Sequence, residues 1–269
     1  MRVREYGTDG PRVVVLHGGP GAPGHMAPVA RGLADAFRVL EPYQRSSGER
    51  PLTVARHVED LRELVDSRCG GSAPALVGCS WGAMLALAFA AAHPDRAGPL
   101  VLIGCSTFDL AARARMKEIL DERMPPDLRR RMESLKSEIP DPDRRLEAMA
   151  DLILPLYSFD PVTDQLEGDA CDSRANEETL HDMVRLQEKG VYPAAFAAIK
   201  SPVLMLHGSH DPHPGALIRE GLEPYLPQLE YVEWERCGHY PWIERGVREE
   251  FFTALRDWLA RRTADSGGS

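Results

Sequence analysis

The sequence lacks an excess of positive charge. Its 32 lysine and arginine residues are outnumbered by 41 aspartate and glutamate residues, which gives a formal net charge of −9 at pH 7. A nucleic-acid-binding surface needs a concentrated basic field, so we expect no nucleic-acid partner. A content of 43% hydrophobic and 27% charged residues is that of an ordinary globular protein, which argues against wholesale disorder.

Long apolar runs are also missing. The longest one, residues 83–92, is about half as long as the roughly 20 residues that a membrane-spanning helix requires. We therefore expect no membrane partner.

Cysteine is scarce and irregularly spaced. The five cysteines are scattered, odd in number and without the paired spacing of metal ligands, so we expect neither a disulfide framework nor a metal site built on them. The first residues show no apolar core followed by a small-residue cleavage site, so no signal peptide is readable. These observations predict a cytoplasmic location.

Strand-like and helix-like patterns alternate in two parts of the chain. Strands are predicted at residues 12–17, 37–41, 73–78, 99–104, 201–207 and 229–234, and helices at residues 53–68, 81–93 and 244–261. Such alternation predicts an α/β fold, with a mostly parallel sheet covered by helices on both faces. At 269 residues the chain is long enough for one such domain with an insertion.

The middle of the chain has a different pattern. Residues 108–198 have no comparable β-branched runs and are broken by several prolines, which predicts short helices packed as a cap, or lid. Residues 1–107 and 199–262 would then form the two parts of the core. Residues 263–269 are small and polar, and we expect them to be a disordered tail.

A candidate nucleophile lies between a predicted strand and a predicted helix. Gly78-Cys-Ser80-Trp-Gly82 matches the pattern G-x-S-x-G, in which a tight strand-to-helix turn lifts the serine hydroxyl above the sheet. Glycines are needed on both sides because larger residues would clash with the adjacent strand and helix. The alternative is a glycine-bounded turn with an incidental serine, and the strand and helix around Ser80 favour the catalytic interpretation.

A glycine-rich loop, His17-Gly-Gly-Pro-Gly21, directly follows the first apolar strand. Such a loop can turn its N–H groups inward, and the Gly19 and Trp81 N–H groups are our candidates for an oxyanion hole. We interpret His17 as a structural residue that bonds the loop through its ring. A phosphate-binding turn is the alternative, but the loop lacks a G-K-[ST] ending and Pro20 removes a donor.

The acid and the base are chosen by position among several candidates. His239 lies in a short loop after the strand at residues 229–234, and Asp211 follows the strand at residues 201–207. Both loops are expected over the edge of the sheet that carries Ser80, and the chain order serine, aspartate, histidine is the one that this architecture uses. The other histidines are weaker candidates: His210 lies beside Asp211, His213 is expected to begin a helix, and His25, His57, His93 and His181 are expected at the surface or at helix caps.

These motifs together resemble those of the α/β-hydrolase superfamily. His17-Gly-Gly-Pro-Gly21, Gly78-Cys-Ser-Trp-Gly82 and Gly238-His-Tyr-Pro-Trp-Ile-Glu244 are similar to those of its proline iminopeptidase-like subgroup, peptidase family S33. Where that subgroup carries D-Q-R-G-x-G-x-S, only Gln44, Arg45 and Gly48 match. The resemblance implies a sheet of about seven or eight strands, a helical cap after the sixth strand, a triad of Ser80, Asp211 and His239, and no metal or organic cofactor.

Three functions remain open. The first is a serine hydrolase of a small ester or amide that acts through an acyl-enzyme, and the second is an iminopeptidase that acts on a short peptide. The third is a non-catalytic ligand binder that uses the same pocket. Carboxylates between residues 160 and 178 would bind a substrate amine if they faced the pocket, whereas an ordinary solvated surface is the simpler interpretation.

Overall fold

The computed structural model of the protein describes residues 1–163 and 166–264. In these residues, seven strands form one sheet in the order β1-β3-β2-β4-β5-β6-β7. Their bounds are β1 Val3–Tyr6, β2 Arg12–Leu16, β3 Arg38–Pro42, β4 Ala75–Cys79, β5 Leu100–Ile103, β6 Val203–Gly208 and β7 Leu229–Trp234. Only β1, at the edge, is antiparallel to its neighbour. The predicted α/β class with a mostly parallel sheet is therefore confirmed.

The central strands are buried on both faces, which explains their continuous apolar sequences. In β2, Val13 and Val15 face a core shared with helices α1 (Ala27–Leu33) and α9 (Arg248–Ala264). Val14 and Leu16 face the opposite core, shared with α2 (Val54–Arg68) and α3 (Trp81–Ala92). The helix α8 (Gly215–Leu222) also packs on this second side.

The chain between β5 and β6 is helical in its described part. It contains α4 (Leu110–Arg123), α5 (Pro126–Glu138), α6 (Pro142–Tyr157) and α7 (Ser173–Glu188), and we refer to residues 108–198 as the inserted segment. The segment follows the fifth strand, one earlier than the resemblance implies, because the sheet has seven strands rather than eight.

Two boundaries near the end of the chain differ from the predictions. The last helix begins at Arg248 instead of residue 244, because a 3-10 turn at Pro241–Ile243 precedes it and Glu244 is extended. That helix also includes Thr263 and Ala264, which were expected in a disordered tail, and the Thr263 hydroxyl donates to the Leu259 carbonyl at 2.8 Å. Residues 265–269 lie outside the described residues.

Among the described residues, no helix combines the length and the apolar character that crossing a bilayer requires.

Candidate active site

Ser80 occupies a strained turn between β4 and α3. Its backbone has φ 52° and ψ −116°, an unusual conformation for a residue other than glycine. A Cβ atom at Gly78 would lie 2.2 Å from the Gly82 carbonyl oxygen, and one at Gly82 would lie 2.2 Å from the Leu16 carbonyl oxygen. Both positions therefore require glycine, and the strained serine remains partly exposed at the end of the strand.

Asp211 and His239 form a buried hydrogen-bonded pair. Asp211 follows β6 and His239 follows β7, and the imidazole Nδ1 lies 2.6 Å from the carboxylate Oδ2. Burial lowers the pKa of His239 below that of an ordinary histidine, although Asp211 opposes this effect. The imidazole is therefore held by a carboxylate in a form suited to accept a proton.

The end of β5 connects this pair to Ser80. The Ser80 N–H donates to the Ile103 carbonyl at 2.9 Å, and a Cβ atom at the next residue, Gly104, would lie 2.8 Å from Nδ1 of His239. Within the described residues, the Ser80 hydroxyl makes no hydrogen bond to the imidazole in this conformation. Such bonds are often long in an unliganded site and tighten when substrate binds.

A second histidine, His213, contacts the same carboxylate. Its backbone N–H and its ring Nδ1 lie 2.9 and 3.0 Å from Oδ1 of Asp211, and its ring stacks on that of His239 at 4.8 Å. The expectation that His213 begins a helix was wrong, because α8 begins only at Gly215. The spacing of two residues from Asp211 is the signal that would have suggested this turn.

A third histidine completes the environment of Asp211. His207 Nε2 lies 3.3 Å from Oδ2 of Asp211 and 2.9 Å from the carbonyl oxygen of His213. Burial alone would raise the pKa of the Asp211 carboxyl, but the three histidines and the hydrogen bonds hold it well below its usual value. The carboxylate is therefore charged throughout the physiological range.

Asp211, His213 and His239 are also the residues that could hold a metal ion in the described part of the chain. Their ligand atoms lie within 4.8 Å of one another. Each is hydrogen-bonded within the set, so acid–base pairing already accounts for their proximity. The expectation of no cofactor stays a prediction.

Two neutral histidines support the candidate oxyanion loop. His17 Nδ1–H donates to the Gly18 carbonyl at 2.9 Å, which is the structural role predicted for it. His25 accepts the Gly18 N–H at 3.1 Å and is buried, so its expected surface position was wrong. Burial lowers the pKa of His17 to about 3 and that of His25 to about 4, so both rings remain neutral and His25 keeps its acceptor nitrogen.

The two predicted oxyanion donors remain available. The Gly18 N–H is used in its hydrogen bond to His25. The next amide in the loop, the Gly19 N–H, has no acceptor among the described residues. The Trp81 N–H likewise has none within residues 1–163 and 166–264, as expected for the first residue of a helix.

Gln44 joins the loop to the turn that carries Ser80. Its amide donates to the His17 carbonyl at 2.9 Å and its oxygen accepts the Trp81 indole N–H at 2.6 Å. The next residue, Arg45, forms a bidentate pair with Asp60, with both distances 2.6 Å. Of the three residues that match the iminopeptidase pattern, Gln44 therefore connects the two parts of the site, and Arg45 next to it is held by Asp60.

Most of the carboxylates between residues 160 and 178 contact the core. Asp169 accepts hydrogen bonds from Arg2, Arg4 and Tyr43 at 3.0–3.2 Å. Glu167 pairs with Arg31, Asp172 accepts the Ser47 N–H at 2.7 Å, and Glu178 accepts the Leu52 N–H at 2.8 Å. These carboxylates attach the inserted segment to the core. Glu177 is exposed, and Asp164 lies outside the described residues.

A sequence model matches most of this chain. The model describes the alpha/beta hydrolase family, and it matches residues 13–250. Proline iminopeptidases from Neisseria meningitidis serogroup A and Neisseria gonorrhoeae are 38% and 34% identical over 108 residues. That alignment covers 36% of this chain, and the chain spans 33% of the length of these relatives.

Solved structures resemble the whole fold. A thermophilic esterase from Thermogutta terrifontis is similar with a TM-score of 0.65 and 22% identity, over 97% of this chain and 93% of that one. The enol-lactonase from Burkholderia xenovorans LB400 has a TM-score of 0.60 and 20% identity, over 96% of each chain. At this level of identity the likeness establishes the fold alone.

Proposed function

The chain belongs to the alpha/beta hydrolase family, and we propose that it is a serine hydrolase that cleaves a small ester or amide through an acyl-enzyme on Ser80. One observation carries the proposal: the buried His239–Asp211 pair, at 2.6 Å, follows the carboxyl ends of β6 and β7, and the strained Ser80 follows the carboxyl end of β4 in the same sheet. A serine hydroxyl is a weak nucleophile until a neighbouring base takes its proton, and this pair supplies such a base.

The reaction would proceed in two acyl-transfer steps. His239 accepts the Ser80 proton as the hydroxyl oxygen attacks the substrate carbonyl, and it then gives that proton to the departing alcohol or amine. Water, activated by the same imidazole, releases the acyl group. Asp211 orients His239 through Nδ1–H and stabilises the imidazolium, while the carboxylate itself remains unprotonated.

The developing oxyanion would be held by the Gly19 and Trp81 N–H groups. Both lack an internal acceptor in the described part of the chain, and the Trp81 amide is at the positive end of α3. Loss of one such donor typically costs about 3 kcal/mol of transition-state stabilisation.

The inserted segment would act as a cap over this site. Its helix α6 ends at Tyr157, whose ring lies edge-on to His239 with centroids 5.4 Å apart. A substrate at Ser80 would therefore be bounded on one side by this segment, which excludes water from the reaction.

Replacement of Ser80 tests the proposal. We expect Ser80→Ala to lower ester hydrolysis by more than ~10³-fold while the circular dichroism spectrum is unchanged. A fluorophosphonate probe should label the parent protein on Ser80 and leave the variant unlabelled. A parent that is neither labelled nor active on esters would instead favour the non-catalytic binder. A variant that hydrolyses as fast as an active parent would overturn the role of Ser80.

An iminopeptidase is the second candidate, supported by the similarity over 108 residues to proline iminopeptidases of Neisseria. Binding of a free amine needs an unpaired carboxylate at the site, and Asp169, Asp172 and Glu178 are already engaged with the core. The arylamide of proline and its N-acetylated form separate the two activities. Equal rates on both would exclude the iminopeptidase, whereas cleavage of the free amine alone would favour it.

A further inference from the structure

The stretch of chain that follows α6 runs beside the loop that carries His239. The His239 N–H donates to the Tyr157 carbonyl at 2.7 Å, and the Arg245 N–H donates to the Asp160 carbonyl at 3.0 Å. One partner in each bond belongs to the inserted segment and the other to the histidine loop. The backbone of the base is therefore bonded directly to the inserted segment.

The carboxylate of Glu244 lies between these two stretches. Its Oε1 accepts the N–H groups of Gly238 and Phe159, both at 2.9 Å, and its Oε2 accepts the Asp160 N–H at 2.8 Å. Glu244 is 1% exposed. Within the described residues it forms no ion pair with a cationic side chain.

A buried carboxylate without a cationic partner is costly unless several N–H groups stabilise it. Here three backbone donors do so, and they are drawn from both stretches. Such charge-assisted bonds are short and directional, so they fix the backbone groups that make them.

We infer that Glu244 is a positioning residue for the proposed base, and that it links the position of His239 to that of the inserted segment. The inference rests on the proposed function, in which His239 takes the Ser80 proton. The N–H of Gly238 is bonded to Glu244, and the N–H of His239 is bonded to the Tyr157 carbonyl. The His239 ring is bonded to Asp211, so three hydrogen bonds fix two consecutive residues.

Removal of the carboxylate would leave the buried N–H of Gly238 and the part-buried N–H groups of Phe159 and Asp160 without this acceptor, and the two stretches would separate to hydrate them. The imidazole would move with its loop. Because a displacement of about 1 Å in a catalytic group can cost on the order of 10²-fold in rate, the loss should fall on kcat rather than on KM.

The test compares Glu244→Ala and Glu244→Gln with the parent. Each preparation is first titrated with a fluorophosphonate, run to completion, so that kcat is expressed per reactive Ser80 and unfolded molecules are not counted. We expect Glu244→Ala to lower kcat per labelled site by about 10- to 100-fold, with KM changed less than about threefold. The kcat per labelled site of Glu244→Gln should lie between those of the parent and Glu244→Ala. Its amide oxygen still accepts from Gly238 and Phe159, whereas its NH₂ group faces the Asp160 N–H, and two donors cannot bond to each other.

Glu235→Gln serves as the matched control, since Glu235 is an exposed glutamate just after β7. Its kcat per labelled site should equal that of the parent. A second readout is the downfield proton resonance of the His239–Asp211 hydrogen bond, which should shift or broaden in both Glu244 variants and be unchanged in Glu235→Gln.

The outcomes separate the two proposals. A parent that neither hydrolyses esters nor reacts with the fluorophosphonate would overturn the proposed function. An active, labelled parent with Glu244 variants of equal kcat per site would overturn only the positioning role, even if those variants melted at a lower temperature. If Glu244→Ala does not fold, Glu244→Gln decides: parental kcat per site overturns the role, and a reduced value with an altered proton resonance supports it.

Discussion

At the level of single residues, the imidazole of His239 is confined by a glycine. Gly104 has φ 50°, and a Cβ atom there would lie 2.8 Å from both Nδ1 and the carbonyl oxygen of His239. The site therefore depends on the absence of one methyl group at the end of β5. No motif in the sequence marks this position.

We expect Gly104→Ala to abolish most of the ester hydrolysis, because the added methyl displaces the proposed base. A loss of about 100-fold or more in kcat would be consistent with a displacement of roughly 1 Å. Gly70→Ala is the matched control, since Gly70 has a similar φ of 59° but open space around it. The backbone strain is then comparable in the two variants, and equal losses of activity would contradict a steric effect on His239.

The pH dependence of hydrolysis should follow the same imidazole. Burial lowers the pKa of His239. Since the neutral ring is the form that would accept the Ser80 proton in the proposed reaction, activity should persist below the ordinary histidine pKa of about 6.5. We therefore expect the acid limb of kcat/KM to have its midpoint below that value. A profile of an uncharged ester between pH 4 and 8 measures it, and a midpoint above 7 would be incompatible with this environment.

The residues around the site were predictable from the sequence to different degrees. Ser80, Asp211 and His239 could be proposed because each follows a recognisable strand. His25 and Glu244 could not, because nothing local shows that His25 is buried against Gly18, and Glu244 bonds to residues 85 and 84 positions away. The contact of His213 with Asp211 does have a local signal, the spacing of two residues. A histidine in a loop has the same local sequence signal whether it is buried or exposed.

At the level of elements, α7 is attached to the start of α2. Asp182 of α7 is buried, and its Oδ2 accepts the N–H of Val54, the first residue of α2, at 2.9 Å. One turn earlier in α7, Glu178 accepts the Leu52 N–H at 2.8 Å. Carboxylates are favoured at a helix N-terminus, where N–H groups have no intrahelical acceptor.

We expect Asp182→Ala to lower the free energy of unfolding by about 2 kcal/mol, because it leaves the Val54 N–H buried without an acceptor. Glu177→Ala, on the exposed side of the same helix, should change it by less than about 0.5 kcal/mol. Urea titrations of both variants give the comparison. Equal losses of unfolding free energy in the two variants would mean that the substitutions act on the stability of α7 itself and not on its contact with α2.

Elements were predicted well where hydrophobic periodicity is strong. The six apolar runs became β2 to β7 with shifts of at most two residues, and helix α2 begins after Thr53, whose hydroxyl accepts the Arg56 N–H at 3.1 Å. Strand β1 was not among the predicted strands, because its mostly half-buried residues at the sheet edge give no apolar run. The order of strands and the packing of α4 to α7 depend on long-range contacts, which local patterns do not encode.

At the level of the whole molecule, neutral histidines are distributed through the interior. Burial lowers the pKa of His17 to about 3 and those of His25 and His57 to about 4. Each ring takes up a proton when the chain unfolds below about pH 6.5. The unfolded state then binds more protons than the folded state, so stability falls as the pH falls.

We expect the free energy of unfolding to decrease by about 2 kcal/mol for each of these three histidines between pH 7 and 5. His57→Gln should reduce the slope between pH 6 and 5 by about 1.2 kcal/mol per pH unit, whereas His181→Gln, on an exposed position, should keep the parental slope. Urea unfolding at each pH measures the effect. A free energy that is constant over this range would contradict the neutral, buried state of the rings.

The direction of the parallel strands has a practical consequence. Ser80, Asp211 and His239 all follow the carboxyl ends of strands, while the exposed turn at Gly70 and Gly71 precedes the amino end of β4. A tether or affinity tag inserted in that turn would attach the molecule to a solid support by the opposite edge of the sheet. The edge that carries the candidate active site would then face the solvent. The immobilised protein should then hydrolyse an ester with the same kcat/KM as the protein in solution.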